Sequence, residues 1–270
     1  MSVDMNSKPG PVLLEVLDGG VLELTLNRPG RLNAFNLELH AALSDALNRA
    51  RENAACRALL LTGAGKGFCA GQDLGERVVA PGSGPPDLGE SLENRYNPLI
   101  RQLKAMPKPV ICAVNGAAAG AGANLALACD IVLAAKSAKF LQAFSRLGLV
   151  PDCGGTWALP RLIGAARARA IILLAEPVTA EQAAEWGMIY RVTEDASLMA
   201  EARAMAAKLA AGPSFGYALS KRALDASAAN SLDAQLDLER DLQRLAGKSE
   251  DYAEGIKAFL EKRAPVFHGR

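Results

Sequence analysis

The first two apolar runs of the chain alternate with polar residues in the manner of a β-hairpin. Val12–Leu17 and Val21–Leu26 flank the turn Asp18-Gly19-Gly20, and leucines alternate with Glu23 and Thr25 in the second run. A period of two turns one face of a strand toward a core and the other toward solvent. The pattern therefore predicts two half-buried antiparallel strands joined by a tight glycine turn.

After this hairpin the apolar spacing becomes helical. Asn36 can cap a helix that ends near Asn53, because the apolar positions between them recur every three or four residues. Those positions are Leu39, Leu43, Leu47 and Ala50. The same helix carries His40, which we predict to lie on the surface.

The middle of the chain alternates short apolar runs with helical segments. Ala58–Thr62, Val110–Val114 and Ile131–Ala134 are nearly uninterrupted apolar runs, as expected of strands covered on both faces. Helices are predicted from about Glu90 to Met106 and from Gly120 to Ala128. Strands alternating with helices indicate a layered α/β core.

Two segments of different character flank these helices. Pro81–Gly89 is rich in proline and glycine with no apolar period, so we predict a mobile surface loop that could gate a pocket. Thr179 and Gln182 form a capping box, and the chain from Leu198 onward has helical spacing, ending in a frayed segment around His268. An apolar stripe of this tail includes Leu232, Leu236, Leu242 and Leu245. We therefore predict a core of residues 1–197 and a helical region of residues 198–270.

Composition excludes several classes of protein. The 270 residues are 50% hydrophobic, but no apolar run approaches the roughly 20 residues that a membrane span needs, so a soluble protein is expected. A polar start without a secretory signal favours the cytoplasm. A net charge of +1 gives no general attraction for nucleic acid. Five scattered cysteines and only two histidines offer little material for disulfides, a metal site or a histidine-based nucleophile.

Two glycine-rich turns follow buried strands, at residues 63–73 and 116–124. Neither fits a nucleotide-binding motif: Leu60 and Gly67 break the P-loop pattern, and Phe68 and Leu125 break the dinucleotide fingerprint. Hydride transfer is therefore a weak alternative. Small residues in such turns either allow tight packing of a helix on a strand or leave backbone N–H groups uncovered to receive negative charge. The two turns taken separately leave both interpretations open.

Three blocks in order resemble the signature of the crotonase family. They are Asn27-Arg28-Pro29 with Leu32-Asn33-Ala34-Phe35, then residues 67–74, and then Val114-Asn115-Gly116 with Gly120-Ala121-Gly122. The resemblance implies an α/β fold, a crotonase-type stacked ββα superhelix core with a C-terminal helical trimerisation region. It also implies a coenzyme A thioester substrate and an oxyanion hole, which by position falls on the backbone N–H groups of Ala70 and Ala121.

The choice of reaction depends on the acidic residues. The family resemblance implies that a hydratase uses two glutamates to add water, but Asn124 and Phe144 stand at those positions here. Asp152 stands where isomerase-type and dehalogenase-type members keep a carboxylate, and a dehalogenase would also need a base such as histidine. We predict that Asp152 shuttles a proton, with its pKa raised by Phe140, Phe144 and Trp157 around it. The alternative for Asp152 is a plain helix N-cap.

Similarity to isomerase members of the family implies conversion of a phenylacetate-derived ring 1,2-epoxide to an oxepin thioester, with Δ3,Δ2-enoyl-CoA isomerisation as a second activity. Enoyl-CoA hydration and a non-catalytic acyl-CoA-binding or RNA-associated role are the alternatives. No cofactor or metal is expected, and a homotrimer or a dimer of trimers is implied. The residues predicted to bind substrate are Arg28, Leu32, Lys66, Phe68, Gln72, Asp73, Gly120 and Asn124.

Overall fold

A computed structural model describes residues 10–77 and 87–270, and it begins with the predicted hairpin. Strand β1, Leu13–Asp18, pairs antiparallel with β2, Val21–Leu26. Helix α1, Leu37–Glu52, follows, and the side chain of Asn36 accepts a hydrogen bond from the Leu39 N–H over 2.9 Å. The predicted hairpin and N-cap are thus confirmed.

Eight further strands complete two sheets. They are β3 (Ala58–Gly63), β4 (Gly67–Cys69), β5 (Val110–Val114), β6 (Ala117–Ala119), β7 (Ile131–Ala135), β8 (Lys139–Leu141), β9 (Val178–Thr179) and β10 (Arg191–Thr193). The large sheet has the order β1-β2-β3-β5-β7-β10 and the small sheet the order β4-β6-β8-β9. Three successive pairs, β3/β4, β5/β6 and β7/β8, each place one strand in the large sheet and the next in the small sheet. This repetition builds the predicted stack of ββα units.

Nine more helices connect and cover the sheets in the described ranges. They are α2 (Leu88–Ser91), α3 (Asn97–Lys104), α4 (Ala121–Leu127), α5 (Gly155–Leu174), α6 (Ala180–Glu185), α7 (Leu198–Ala210), α8 (Ser214–Ser227), α9 (Leu232–Ala246) and α10 (Glu250–Leu260). A π-helical turn, Leu92–Tyr96, joins α2 to α3. Most of the predicted loop Pro81–Gly89 lies outside the described residues. Within those residues, no helix combines the length and apolarity required to cross a bilayer.

The glycines at the end of the small sheet permit close contact between its strands and α4. A methyl group on Gly122 would lie 2.2 Å from the carbonyl oxygen of Cys69, and one on Gly116 would lie 2.1 Å from that of Lys66. No side chain fits at such distances. Tight packing therefore explains these two glycines.

The helical tail divides differently from the prediction. Helix α7 packs on the large sheet, and its buried residues belong to the same hydrophobic cluster as the strands. Those residues are Leu198, Ala202, Ala206 and Ala210. The core therefore extends through α7 and past the predicted boundary at residue 197, leaving α8–α10 as the appended helices.

Both histidine predictions were wrong. His40 is 5% exposed, because its ring stacks on Phe35 at 4.5 Å between centroids and meets the edge of Tyr96 at 4.3 Å. The segment around His268 is not frayed, since its N–H and that of Gly269 donate to the Asp251 carboxylate. All five cysteines are free and buried.

Candidate active site

The two glycine-rich turns meet at one edge of the small sheet. Strands β4 and β6 are parallel neighbours, so the segments that follow them leave the same edge. Gly71, at φ +87°, lies between them: a methyl group there would be 2.9 Å from the Ala119 carbonyl oxygen and 3.4 Å from the Ala121 nitrogen. The missing side chain of Gly71 thus leaves space beside the amide of Ala121.

The prediction of Ala70 as an oxyanion donor needs correction. Its N–H donates to the carbonyl of Leu32 over 2.9 Å and is therefore engaged within the protein. Phe35 forms a parallel bridge to Gln72, donating to Gly71 and accepting from Asp73. Gln72 lies between these two hydrogen-bonded residues, and in a parallel bridge the N–H of that middle residue points away from the partner segment. The backbone N–H of Gln72, rather than that of Ala70, is therefore directed away from Phe35, and a donor role for Gln72 and Ala121 stays a prediction.

The side chain of Gln72 is anchored at both ends of its amide. Its Nε2 donates to the Phe35 carbonyl over 3.1 Å, and its Oε1 accepts from the Tyr96 hydroxyl over 2.9 Å. Tyr96 is 2% exposed and ends the π-helical turn, a feature that is frequent at functional sites. These contacts hold the backbone of Gln72 in place.

Arg28 and Asp73, both predicted to bind substrate, form an ion pair with each other. The Arg28 Nη2 lies 2.9 Å from the Asp73 Oδ2, and Arg28 also donates to the carbonyl of Ala34. The hydrogen bond from Arg28 holds the pKa of Asp73 below its ordinary value. The pair joins the turn at residues 28–34 to the segment after β4 that carries Gln72.

The other predicted coenzyme A contacts differ in accessibility. Leu32 is 43% exposed and packs on Gly67, and Lys66 is exposed beside it. Phe68 is 0% exposed, so only its backbone could meet a ligand. Asn33, for which we predicted no role, is fully buried and donates to the carbonyls of Ala64 and Gly67. It therefore fixes the loop between Ala64 and Gly67.

Asp152 lies in a tight turn just before α5. The N-cap residue of that helix is Gly154, with no side-chain cap, so the N-cap interpretation of Asp152 was wrong. The Cys153 thiol is hydrogen-bonded to the Asp152 carboxylate, and burial together with that carboxylate raises the pKa of Cys153. A raised pKa for Asp152 itself stays a prediction.

Two of the three aromatic residues that we predicted around Asp152 are buried. Phe140 and Phe144 are buried, and the Phe144 ring lies close to Gly120, 3.6 Å from where a methyl group there would be. Trp157 is 46% exposed, with the Arg161 guanidinium 4.3 Å from its ring centroid. Trp157 therefore does not form the closed apolar cover that we predicted.

Asn124 links the two halves of the site. It lies on α4, three residues after Ala121, and is 2% exposed. Its side-chain nitrogen donates to the backbone carbonyl of Asp152 over 2.8 Å. The turn that holds Asp152 is thus attached to the helix that begins with Ala121.

Paired backbone amides beside a carboxylate are typical of enzymes that stabilise an oxyanion during proton transfer. The profile of the enoyl-CoA hydratase/isomerase family matches residues 17–270. The chain belongs to this family, and the predicted crotonase resemblance is confirmed.

Individual relatives cover nearly the whole chain. The 1,2-epoxyphenylacetyl-CoA isomerase of Escherichia coli is 58% identical over 258 residues, which are 96% of this chain and 98% of the relative. A probable enoyl-CoA hydratase of Rhodobacter capsulatus is 51% identical, over 93% of this chain and 95% of that protein. The crystal structure of an enoyl-CoA hydratase from Bacillus anthracis has a TM-score of 0.88 and 33% identity, covering 96% of this chain and 100% of the other. The predicted fold class is confirmed.

Proposed function

We propose that the protein is an acyl-CoA isomerase that works through a thioester enolate. The observation that carries this proposal is that a methyl group on Gly71, directly before Gln72, would lie 3.4 Å from the Ala121 nitrogen, so we infer that the amides of Gln72 and Ala121 border one space. A thioester oxygen in that space would accept both hydrogen bonds, and such donors are each worth about 3 to 4 kcal/mol because they meet charge that grows in the transition state.

Asp152 would carry the proton. Its carboxylate takes a proton from a carbon of the acyl chain, and the electron pair of the broken C–H bond moves into the enolate that the two amides stabilise. The protonated carboxyl then returns the proton to another carbon, which shifts the double bond and regenerates the carboxylate. Neither water nor a cofactor is consumed, because the proton that is removed is also returned. The coenzyme A thioester is itself the substrate.

The substrate we propose is ring 1,2-epoxyphenylacetyl-CoA, converted to oxepin-CoA in phenylacetate degradation, with Δ3,Δ2-enoyl-CoA isomerisation as a second activity. The 58% identity to the isomerase of Escherichia coli supports this choice. The buried ring of Phe144 beside Gly120 is compatible with an apolar acyl group. A cytoplasmic location remains part of the proposal.

The coenzyme A moiety would lie across the outer side of the first glycine-rich turn. Leu32 and Lys66 are the exposed side chains there, and the loop between them is fixed by Asn33. Arg28 would support this surface through its ion pair with Asp73, with less direct contact than the sequence suggested.

An assay of two thioesters tests the proposal against hydration. The purified protein should shift the double bond of a 3-enoyl-CoA at least about tenfold faster than it adds water to a 2-enoyl-CoA, since Asn124 and Phe144 cannot transfer a proton at neutral pH. Absorbance of the conjugated thioester and mass spectrometry of the products distinguish the reactions. Hydration without double-bond migration would refute the isomerase proposal.

The helices after α7 support a homotrimer or a dimer of trimers. They expose many large apolar side chains, and apolar patches of this kind mark association surfaces. Those at least 45% exposed are Leu224, Leu232, Leu236, Leu245, Tyr252, Ile256, Phe259 and Leu260. Of the predicted stripe, only Leu242 is buried within the chain. The remaining positions are free to contact a second copy.

Charges on this surface should disrupt the assembly. Leu232→Glu combined with Leu236→Glu places two carboxylates on one face of α9, and we expect loss of most of the trimer because buried unpaired charge is costly. Light scattering after size exclusion measures the mass. Leu17→Glu, at a 43% exposed position of β1, is the control and should remain assembled. An unchanged mass for the double variant would contradict assembly through α9.

A further inference from the structure

Asn124 and Gln142 form a buried amide pair behind the turn that carries Asp152. Each is 2% exposed. Gln142 Nε2 donates to Asn124 Oδ1 over 2.9 Å, and Asn124 Nδ2 donates to the Asp152 carbonyl over 2.8 Å. Because a carbonyl only accepts hydrogen bonds, the nitrogen of Asn124 must face Asp152, and its oxygen must then face Gln142. The partners determine which way the amide points.

The turn held by Asn124 has an unusual backbone. Cys153 has φ +51° and Gly154 has φ +76°, so two successive residues adopt the left-handed conformation, one of them carrying a side chain. Such conformations persist only where the surroundings hold them. Gly155 packs directly on the Asn124 amide: a methyl group there would lie 2.3 Å from Nδ2. A hydrogen bond and a tight contact thus fix the main chain on both sides of this turn.

We propose that Asn124 is a positioning residue for Asp152, and that Gln142 keeps the Asn124 amide correctly oriented. The inference rests on the proposed function of Asp152 as proton carrier. Asn124 does not exchange a proton itself. It holds the backbone from which the Asp152 carboxylate projects, and an error of about 1 Å in such a position can cost about 100-fold in rate.

The variant Asn124→Asp removes the hydrogen bond to the Asp152 carbonyl with little change in side-chain size. The variant keeps the size of the side chain and an oxygen for Gln142, but an ionised carboxylate cannot donate to the Asp152 carbonyl. We expect kcat to fall about 30-fold with KM changed less than about threefold, because positioning affects the chemical step rather than binding. Asn124→Ala should give a similar loss.

Gln142→Glu tests the orientation of the pair. Its oxygens would favour the Asn124 nitrogen, so the Asn124 amide should turn and present its oxygen to Asp152. A loss of about tenfold in kcat is expected, and this loss should disappear in an Asn124→Ala background, where no amide is left to turn. Additive losses in the double variant would contradict this orienting role.

Thr62→Val is the matched control for structural damage. The Thr62 hydroxyl donates to the Ala113 carbonyl over 2.9 Å within the buried large sheet. The control should lower Tm while retaining kcat, because it removes one buried side-chain bond to a carbonyl outside the turn of Asp152.

Three results would contradict either the positioning role of Asn124 or the proposed function of Asp152. If Asn124→Asp keeps kcat within about twofold while Asp152→Asn is inactive, the positioning role is wrong and the proposed function stands. If Thr62→Val loses as much kcat as Asn124→Asp, the loss in Asn124→Asp is explained by general destabilisation and not by positioning. If Asp152→Asn remains active, the proposed function itself fails. Should Asn124→Ala not fold, Asn124→Asp and Gln142→Glu decide the question.

Discussion

Replacing Asp152 by asparagine should lower kcat for double-bond migration by about 10³- to 10⁴-fold, the upper range for loss of one acid–base group. Asparagine has nearly the same shape but cannot accept and return a proton. The thioester would still meet the backbone donors at Gln72 and Ala121, so calorimetry with a product thioester should show binding within about threefold of the wild type. The variant should therefore lose activity while it keeps its affinity for the thioester.

Asp130→Asn is the control for loss of an ion-paired carboxylate. Asp130 pairs with Lys221 at 2.6 Å and accepts a hydrogen bond from the Val110 N–H, and it follows the C-terminal end of α4, whereas Ala121 begins that helix. We expect a lower Tm with retained kcat for this variant. If Asp152→Asn keeps more than about one tenth of the activity, another group carries the proton.

The sequence predicted the elements whose spacing is strongly periodic. The hairpin, α1, the buried strands β3, β5 and β7, and the capping box at Thr179 all form as expected. Each is determined by residues that are neighbours in sequence. The division of the tail was less predictable, because α7 has the same helical spacing as α8–α10 and only its contact with the large sheet assigns it to the core.

The motif located the first glycine turn but not the fact that the Ala70 N–H is already engaged with Leu32. We propose Gln72 in its place because Phe35 bonds to the residues on either side of Gln72, and that pairing joins residues 37 positions apart. The order of residues along a short loop does not show which backbone N–H groups are already hydrogen-bonded within the protein. His40 was misplaced for a similar reason: two aromatic rings, from Phe35 and Tyr96, cover a residue that is polar by type.

The positioning residues had weaker signals. Gln142 stands between Leu141, the last residue of β8, and Ala143, and Asn124 is the only polar residue of α4. A lone amide within apolar sequence indicates a buried polar contact, since such groups are rarely buried without a partner. The partner itself, a backbone carbonyl 28 residues further on, could only come from the fold.

The surroundings of the site also favour isomerisation over hydration. The buried ring of Phe144 lies beside Gly120, where a hydratase of the family would have an acid, and Asn124 is engaged with Asp152 and Gln142. Water activation would need a second group able to take a proton. With Asp152 as the proposed proton carrier, the same carboxyl would have to return the proton it removes, which is the requirement of an isomerase.

Replacing Gly71 by alanine should lower kcat by about 10²- to 10³-fold, as expected for the loss of one oxyanion donor. The added methyl group would lie 2.9 Å from the Ala119 carbonyl oxygen and 3.4 Å from the Ala121 nitrogen, within the space assigned to the thioester oxygen. Either the methyl group excludes that oxygen or the loop shifts and misdirects the Gln72 amide. Steady-state kinetics with a 3-enoyl-CoA measures the loss.

Gly19→Ala separates this effect from backbone strain. Gly19 also has a positive φ, +53°, but a methyl group there would meet nothing within 4 Å. Both variants should lose about 1 kcal/mol or more of stability, because alanine disfavours a positive φ. Only Gly71→Ala should lose activity beyond this strain, since only there does the methyl group reach the proposed donors. Comparable kcat values for the two variants would place the thioester oxygen elsewhere, and the enolate mechanism would lose its structural basis.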